Sequence, residues 1–116
     1  MFNVKIAKLK EVNGFLAAAL VDSSTGMVLD SVVAQDFPID IAAAFNTQVV
    51  QAKLKAMDAI GLGDDVIEDI LISLGSQYHL IRPLAANREM FMYLALDRKQ
   101  VNLGMAKVQL RALEEA

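Results

Sequence analysis

Residues 38–61 read PIDIAAAFNTQVVQAKLKAMDAIG, and they predict one long α-helix with both ends marked. Pro38 suits the first helical turn, where its missing N–H leaves no hydrogen bond unmade. Asp40 places a negative charge near the positive end of the helix dipole. Gly61 can adopt the left-handed conformation that closes a helix, and Leu62 behind it offers the usual hydrophobic contact.

The long helix carries two apolar stripes. At about 100° per residue, the first stripe collects Ile41, Ala42, Phe45, Val49, Ala52, Ala56, Ala59 and Ile60. The second collects Ala43, Val50, Leu54 and Met57, and the polar arc is Thr47, Gln48, Gln51, Lys55 and Asp58. A helix that covers one sheet needs only the first stripe, so we expect the second to contact a partner. That partner is either another helix of this chain or another copy of it, and the shortness of the other predicted helices favours a second copy.

The amino-acid composition excludes several classes of protein. With 116 residues, 55% of them hydrophobic and 22% charged, the sequence predicts one folded domain spanning residues 1–116. A net charge of −3 and a pI near 5.0 argue against a nucleic-acid partner. The absence of cysteine excludes disulfides and thiolate chemistry and fits a reducing cytoplasm. The first residues are too charged for a signal peptide, and the longest uncharged apolar run, residues 15–21, is too short for membrane insertion.

The remaining segments predict an antiparallel sheet covered on both faces. Phe2, Ile6 and Leu9 recur at helical spacing, and Asn102 is a suitable N-cap for a last helix. Strands are expected at residues 15–22, 27–33, 66–74, 78–84 and 90–97, with Pro83 at a strand end or bulge. Hairpin-length links make neighbouring strands antiparallel, while strands 15–22 and 90–97 are apolar on both faces. These features predict an α+β fold with three layers, α/β/α. If strand 66–74 lies at the edge of the sheet, it lacks the lysines, the prolines and the short length that usually protect an edge strand from pairing with another chain.

No residue pattern indicates catalysis or a cofactor. His79 is the only histidine, and a lone strand histidine is usually structural or exposed to solvent. The acidic residues Asp64, Asp65, Glu68 and Asp69 lack the spacing of a calcium loop, and no G-x-x-x-x-G-K-[ST] motif occurs. We therefore expect no metal, no cofactor and no enzyme activity.

Three local signatures, in order along the chain, resemble the Roadblock family, which dynein light chains and bacterial regulators share. Residues 12–31, VNGFLAAALVDSSTGMVLDS, are similar to the family's glycine, hydrophobic strand and D-x-x-G hairpin. The alanine-rich long helix is followed by GLGDDVIEDILI at residues 61–72. Residues 102–106, NLGMA, are similar to the motif that opens the family's last helix. The resemblance covers nearly the whole chain.

This resemblance implies a profilin-like fold with strand order 2-1-5-4-3. It also implies a homodimer, or a heterodimer with a sister domain, in which the third strands pair and the long helices pack side by side. Carried onto this sequence, strand pairing would involve Val66, Glu68, Ile70 and Ile72. The helix contact would involve Ala43, Val50, Leu54 and Met57.

The function implied by the resemblance is regulatory. Prokaryotic members of the family are commonly partners of small Ras-like GTPases, as activators of hydrolysis or as scaffolds. A dimer of this kind would act by orienting the GTPase's own switch residues. No residue of this sequence stands out as an arginine finger, which argues against activation of hydrolysis as distinct from binding. The alternative is a structural scaffold subunit of a larger complex. The two differ in one property, since only the regulator distinguishes GTP from GDP on its partner.

Overall fold

The computed structural model describes residues 4–115. Its elements, in chain order, are a 3₁₀ helix (Ile6–Glu11), β1 (Phe15–Asp22), β2 (Met27–Val33), α1 (Ile39–Ala59), β3 (Ile70–Ser73), β4 (Gln77–Pro83), β5 (Met90–Asp97) and α2 (Leu103–Glu115). The strands form one antiparallel sheet in the order β2-β1-β5-β4-β3. The predicted α+β class and the strand order are confirmed.

Two core clusters lie on opposite faces of the sheet, as the three-layer prediction requires. One cluster packs under α1 and includes Ala17, Val50 and Tyr93. The other packs under the 3₁₀ helix and α2 and includes Leu94 and Leu110. β1 and β5 contribute buried residues to both clusters, because successive side chains of a strand point to opposite faces. The central strands are apolar throughout for this reason.

Both ends of α1 match the sequence prediction. Pro38 immediately precedes the helix. Gly61 has a φ of +83°, and the Leu62 N–H donates to the Met57 carbonyl at 2.7 Å. The Gly61 N–H donates to the Asp58 carbonyl, which completes the pair of hydrogen bonds of a Schellman motif. Glycine is required at this position because an L side chain is strained at positive φ.

Other local predictions also hold. The Met105 N–H donates to the Asn102 side-chain oxygen at 3.1 Å, so Asn102 caps α2. Pro83 is the last residue of β4, where its missing N–H interrupts no later hydrogen bond of the strand. The N-terminal helix is a 3₁₀ helix that buries Ile6 and Leu9, whereas Phe2 lies outside the described residues.

The prediction for the third strand was too long. β3 covers four residues, Ile70–Ser73, and Val66 and Glu68 precede it in an irregular segment. Backbone groups of that segment are hydrogen-bonded to side chains and not to a neighbouring strand. The Val66 N–H donates to the Asp65 side chain at 2.8 Å, and Arg88 donates to the Ile67 carbonyl at 2.5 Å. The edge strand is therefore shorter than the sequence predicted, and its four residues leave few unpaired backbone groups at the sheet edge.

The prediction for the two stripes of α1 was wrong. The helix buries the second stripe on the sheet, with Ala43 at 0%, Val50 at 3% and Met57 at 6% exposure. The facing side chains of β1 include Ala17 and Ala19, which let α1 approach the sheet closely with Ala43 and Val50 at the contact.

Two polar residues of α1 lie on the same buried face: Thr47, which the sequence placed in the polar arc, and Asn46, which lies between the two apolar stripes. Asn46 is 9% and Thr47 5% exposed. The Thr47 hydroxyl donates to the Ala43 carbonyl at 2.8 Å, so its burial leaves no donor unsatisfied. A polar residue type therefore did not indicate an outward position in this helix.

Candidate interaction surface

An apolar stripe on α1 faces away from the sheet. Ile41 is 61%, Phe45 62% and Ile60 66% exposed, and Val49 is 37% exposed between them. Ile41, Phe45 and Val49 follow one another at four-residue spacing, so they lie on one side of the helix. We call this set the α1 stripe. Large apolar side chains aligned on an exposed helix face are typical of a surface that binds another protein.

A groove of about 500 Å³ separates this side of α1 from the segment that leads into β3. Val49, Lys53 and Met57 line it from the helix, and Met57 is almost fully buried there. Leu62, Asp65, Val66, Ile67, Glu68, Asp69 and Ile70 line it from the other side. The groove thus has an apolar interior with a lysine on one wall and three carboxylates on the opposite wall.

β3 continues this surface at the edge of the sheet. It is the last strand in the sheet order and pairs only with β4 among the described residues. Ile70 and Ile72 are half-buried against the cluster under α1, and Leu71 on the other face is 38% exposed. The outer backbone N–H and C=O groups of a short edge strand can pair with a strand of another chain. The α1 stripe, the groove and β3 form one continuous surface.

A polar cluster lies beside this surface on the same face of the sheet. The His79 Nε2 atom is 2.7 Å from the Gln77 side-chain oxygen, and Nδ1 is 3.3 Å from the Tyr93 hydroxyl. The amide oxygen can only accept, so Nε2 donates and Nδ1 accepts from Tyr93. Burial lowers the pKa of His79 below its ordinary value of 6.5 and raises the pKa of Tyr93 to about 12. Both side chains are neutral near pH 7, and the cluster is a structural network of the core.

The structure separates the residues predicted for a dimer contact into three groups. Ala43, Val50 and Met57 are interior residues of the protomer, so they are not available on its outer helix face. Leu54 is 45% exposed but lies about 140° around the helix from Val49, away from the groove. Val66, Glu68, Ile70 and Ile72 do lie together along the groove and β3.

Sequence reasoning missed Phe45, Val49 and Ile60 as surface residues. No signal in the sequence separated the two stripes, because the exposed stripe also contains small residues such as Ala52 and Ala56. Within residues 4–115, no group of three or more His, Asp or Glu side chains is placed to hold a metal ion. In the same range, no helix is long and apolar enough to cross a membrane.

This architecture is the Roadblock/LC7 fold, which several solved structures share. A Roadblock/LC7 domain from Streptomyces avermitilis superposes with a TM-score of 0.78 at 16% sequence identity, covering 95% of this chain and 88% of that one. The gliding protein MglB from Thermus thermophilus gives 0.79 at 17% identity, over 95% of this chain and 80% of that chain. MglB from Myxococcus xanthus gives 0.78 at 14% identity, over 93% and 84%. No family model and no curated protein matches the sequence. At such low identity the similarity establishes the fold.

Proposed function

We propose that this chain is a non-enzymatic, homodimeric interaction module that binds a small Ras-like GTPase and modulates it. The observation that carries the proposal is the continuous surface formed by the α1 stripe, the groove and the β3 edge. In an isolated protomer this surface exposes Phe45 and Ile41 to water next to an unpaired strand edge. A second copy would cover both features at once.

The geometry suits a two-fold symmetric contact. If two β3 strands pair antiparallel about an axis perpendicular to the sheet, the sheets join and the two α1 helices come to lie side by side. Phe45 and Val49 would then meet the partner helix, and Ile70 and Ile72 would lie under the contact. Val66 and Glu68 would flank the strand pairing. This set replaces the helix residues predicted from sequence, because Ala43, Val50 and Met57 are covered within the protomer.

Charge supports self-association of this surface. In a two-fold symmetric contact both copies contribute the same surface patch, so each wall of the groove in one copy faces the groove surface of the other copy. Lys53 lies on one wall, and Asp65, Glu68 and Asp69 lie on the other, so the surface carries both signs of charge. A surface with both signs can complement itself, whereas a surface of one sign would repel its own copy.

A small GTPase as partner rests on two lines of support. The sequence motifs resemble a family whose prokaryotic members commonly bind such GTPases, and the fold is the one shared by that family's solved domains. A dimer that presents two long helices side by side offers a rigid platform on which the switch loops of a GTPase can be ordered. Such a module acts by positioning groups on the GTPase and contributes no reacting group of its own.

The test compares nucleotide states directly. The tagged chain is incubated with native lysate containing either a non-hydrolysable GTP analogue or GDP, and captured proteins are identified by mass spectrometry. We expect a small GTPase to be retained in one nucleotide state and released in the other. The variant Lys99→Gln, on a turn outside the proposed surface, serves as a control that should capture the same protein. Capture of the same non-GTPase proteins in both states would instead establish the scaffold alternative.

A further inference from the structure

Charge is unevenly divided between the two helical layers of the fold. Residues 4–13 and 101–115, which contain the 3₁₀ helix and α2, include five basic and three acidic residues. Residues 36–69, which contain α1 and the segment after it, include two basic and seven acidic residues. One of the three acidic residues of the first layer, Glu114, is paired with Arg82 at 2.8 Å. The layer of the 3₁₀ helix and α2 is therefore basic, and the α1 layer is acidic.

The basic layer also exposes apolar side chains. α2 buries Ala106, Leu110 and Leu113 on the sheet, while Met105 is 54% and Val108 60% exposed on its outer side. Lys107 and Arg111 follow on the same helix, and both are exposed. Lys107 approaches Asp69 only loosely, at 3.9 Å. The outer side of α2 thus combines two exposed apolar side chains with two cations.

The 3₁₀ helix extends this surface. Lys8 and Ala112 line one shallow groove of about 280 Å³ between the 3₁₀ helix and α2. Glu11 and Met105 line a neighbouring groove of about 320 Å³. The two helices therefore form one outer surface, to which the 3₁₀ helix brings Lys5, Lys8 and Lys10, all of them exposed. None of these three lysines forms an ion pair with another described residue.

We propose that the face formed by the 3₁₀ helix and α2 docks on the surface of an anionic lipid bilayer. Clustered Lys and Arg side chains are attracted to anionic headgroups, and exposed Met and Val side chains can enter the boundary between headgroups and acyl chains. The acidic α1 layer is repelled by such a surface, so only one orientation is favourable. Single-stranded nucleic acid fits less well, because residues 4–13 and 101–115 contain no aromatic side chain on which a base could stack.

The proposed dimer strengthens this docking, and in this respect the inference rests on the proposed function. A two-fold axis perpendicular to the joined sheet leaves the same helical layer of both copies on the same side. Both basic faces would then meet one bilayer together, so the second face binds at high effective concentration. The two α1 helices would point away from the bilayer and remain accessible to a protein partner.

Vesicle co-sedimentation of the full chain tests the proposal. We expect binding to phosphatidylcholine vesicles that contain about 30 mol% phosphatidylserine, loss of binding at ~0.5 M salt, and no binding to phosphatidylcholine alone. Lys8→Glu and Arg111→Glu should each weaken the partition coefficient by about tenfold or more, because each reverses a charge on the docking face. Val108→Ser should weaken it several-fold through the lost apolar contact. Lys55→Glu makes the same change of net charge on α1 and should stay within about twofold of the parent chain.

Light scattering on the same protein preparations without vesicles separates this inference from the dimer proposal. A dimer that ignores the anionic vesicles overturns the docking inference and leaves the dimer in place. A monomer that binds them, with the expected order of variants, supports the docking face and contradicts the dimer. Equal losses in Lys8→Glu and Lys55→Glu would show that net charge alone drives binding, and the assigned face would then be wrong.

Discussion

Two residues of α1, five positions apart in the sequence, separate the roles of the exposed and the buried face of this helix. Phe45 is 62% exposed on the α1 stripe, and Val50 is 3% exposed against the sheet. We consider Phe45→Gln, which places a good helix former on the exposed stripe, and Val50→Ala, which raises helix propensity and empties part of the core. If the face assignment is right, the first variant changes association and the second changes stability.

The expected size of each effect follows from burial. Fully burying a phenylalanine side chain contributes about 1.5–3 kcal/mol, and the exposed 62% of Phe45 is the part that a second copy would cover. Two copies per dimer give a loss of about 2–4 kcal/mol. The dimer Kd should therefore increase by a factor between about 30 and several hundred. Val50→Ala removes two methyl groups at about 0.8 kcal/mol each and leaves a cavity, so the free energy of unfolding should fall by about 2–3 kcal/mol.

Two measurements on the same samples distinguish the outcomes. Light scattering across a dilution series reports the dimer Kd, and urea unfolding at a concentration where every variant is monomeric reports protomer stability. Phe45→Gln should weaken association while its unfolding midpoint stays close to that of the parent chain. Val50→Ala should lower the midpoint without changing association of the folded protein. If Val50→Ala dissociates the dimer at full stability and Phe45→Gln remains dimeric, the orientation assigned to α1 is refuted.

Three further predictions concern the fold. Gly14→Ala should destabilise the protein by at least about 1–2 kcal/mol in urea unfolding, because Gly14 has a φ of +82° and an added Cβ would lie 2.9 Å from a backbone oxygen. Gly75→Ala is the control and should change stability little, because a Cβ added there meets no atom within 4 Å. The free energy of unfolding should fall as the pH drops below 6.5, because His79 has a lowered pKa in the folded protein and binds a proton more readily in the unfolded chain. An unchanged pH slope in His79→Gln would contradict this prediction. Glu114→Gln should cost about 2–3 kcal/mol and increase amide exchange at the end of α2, since it removes the negative charge from a largely buried pair with Arg82. A double-mutant cycle with Arg82→Met isolates the coupling.

Local sequence signals were reliable wherever a few neighbouring residues decide the conformation. Gly61 ends α1 at positive φ, and Asn102 caps α2, because both effects act through backbone atoms within six residues. The strand count followed from five apolar segments separated by turns, and the two covered faces of the sheet followed from the apolar content of β1 and β5. The length of β3 did not follow, since the backbone of the preceding segment is bound by Arg88, which is 21 residues away from its acceptor at Ile67.

The candidate site was predicted in part. The sequence placed Ile70 and Ile72 on the third strand and suggested that the long helix has an apolar face beyond the needs of one sheet. It assigned the wrong stripe to that face, because periodicity measures the angle between stripes and contains no information about which stripe meets the sheet. The stripe with more apolar members was therefore the natural choice for the face that packs on the sheet.

The amino-acid sequence by itself determined the elements and most of their ends, because turn chemistry, capping and apolar periodicity are local properties of the chain. The strand order was implied by the resemblance of its motifs to the Roadblock family. Only the tertiary structure decided which side of α1 is buried and where the charges of the two layers come to lie. Those outcomes depend on the fit of side chains from distant segments, as when Ala43 and Val50 pack on the cluster that contains Ala17 and Ala19. The surfaces that bind partners are what remains exposed after that packing, so they are fixed by tertiary contacts.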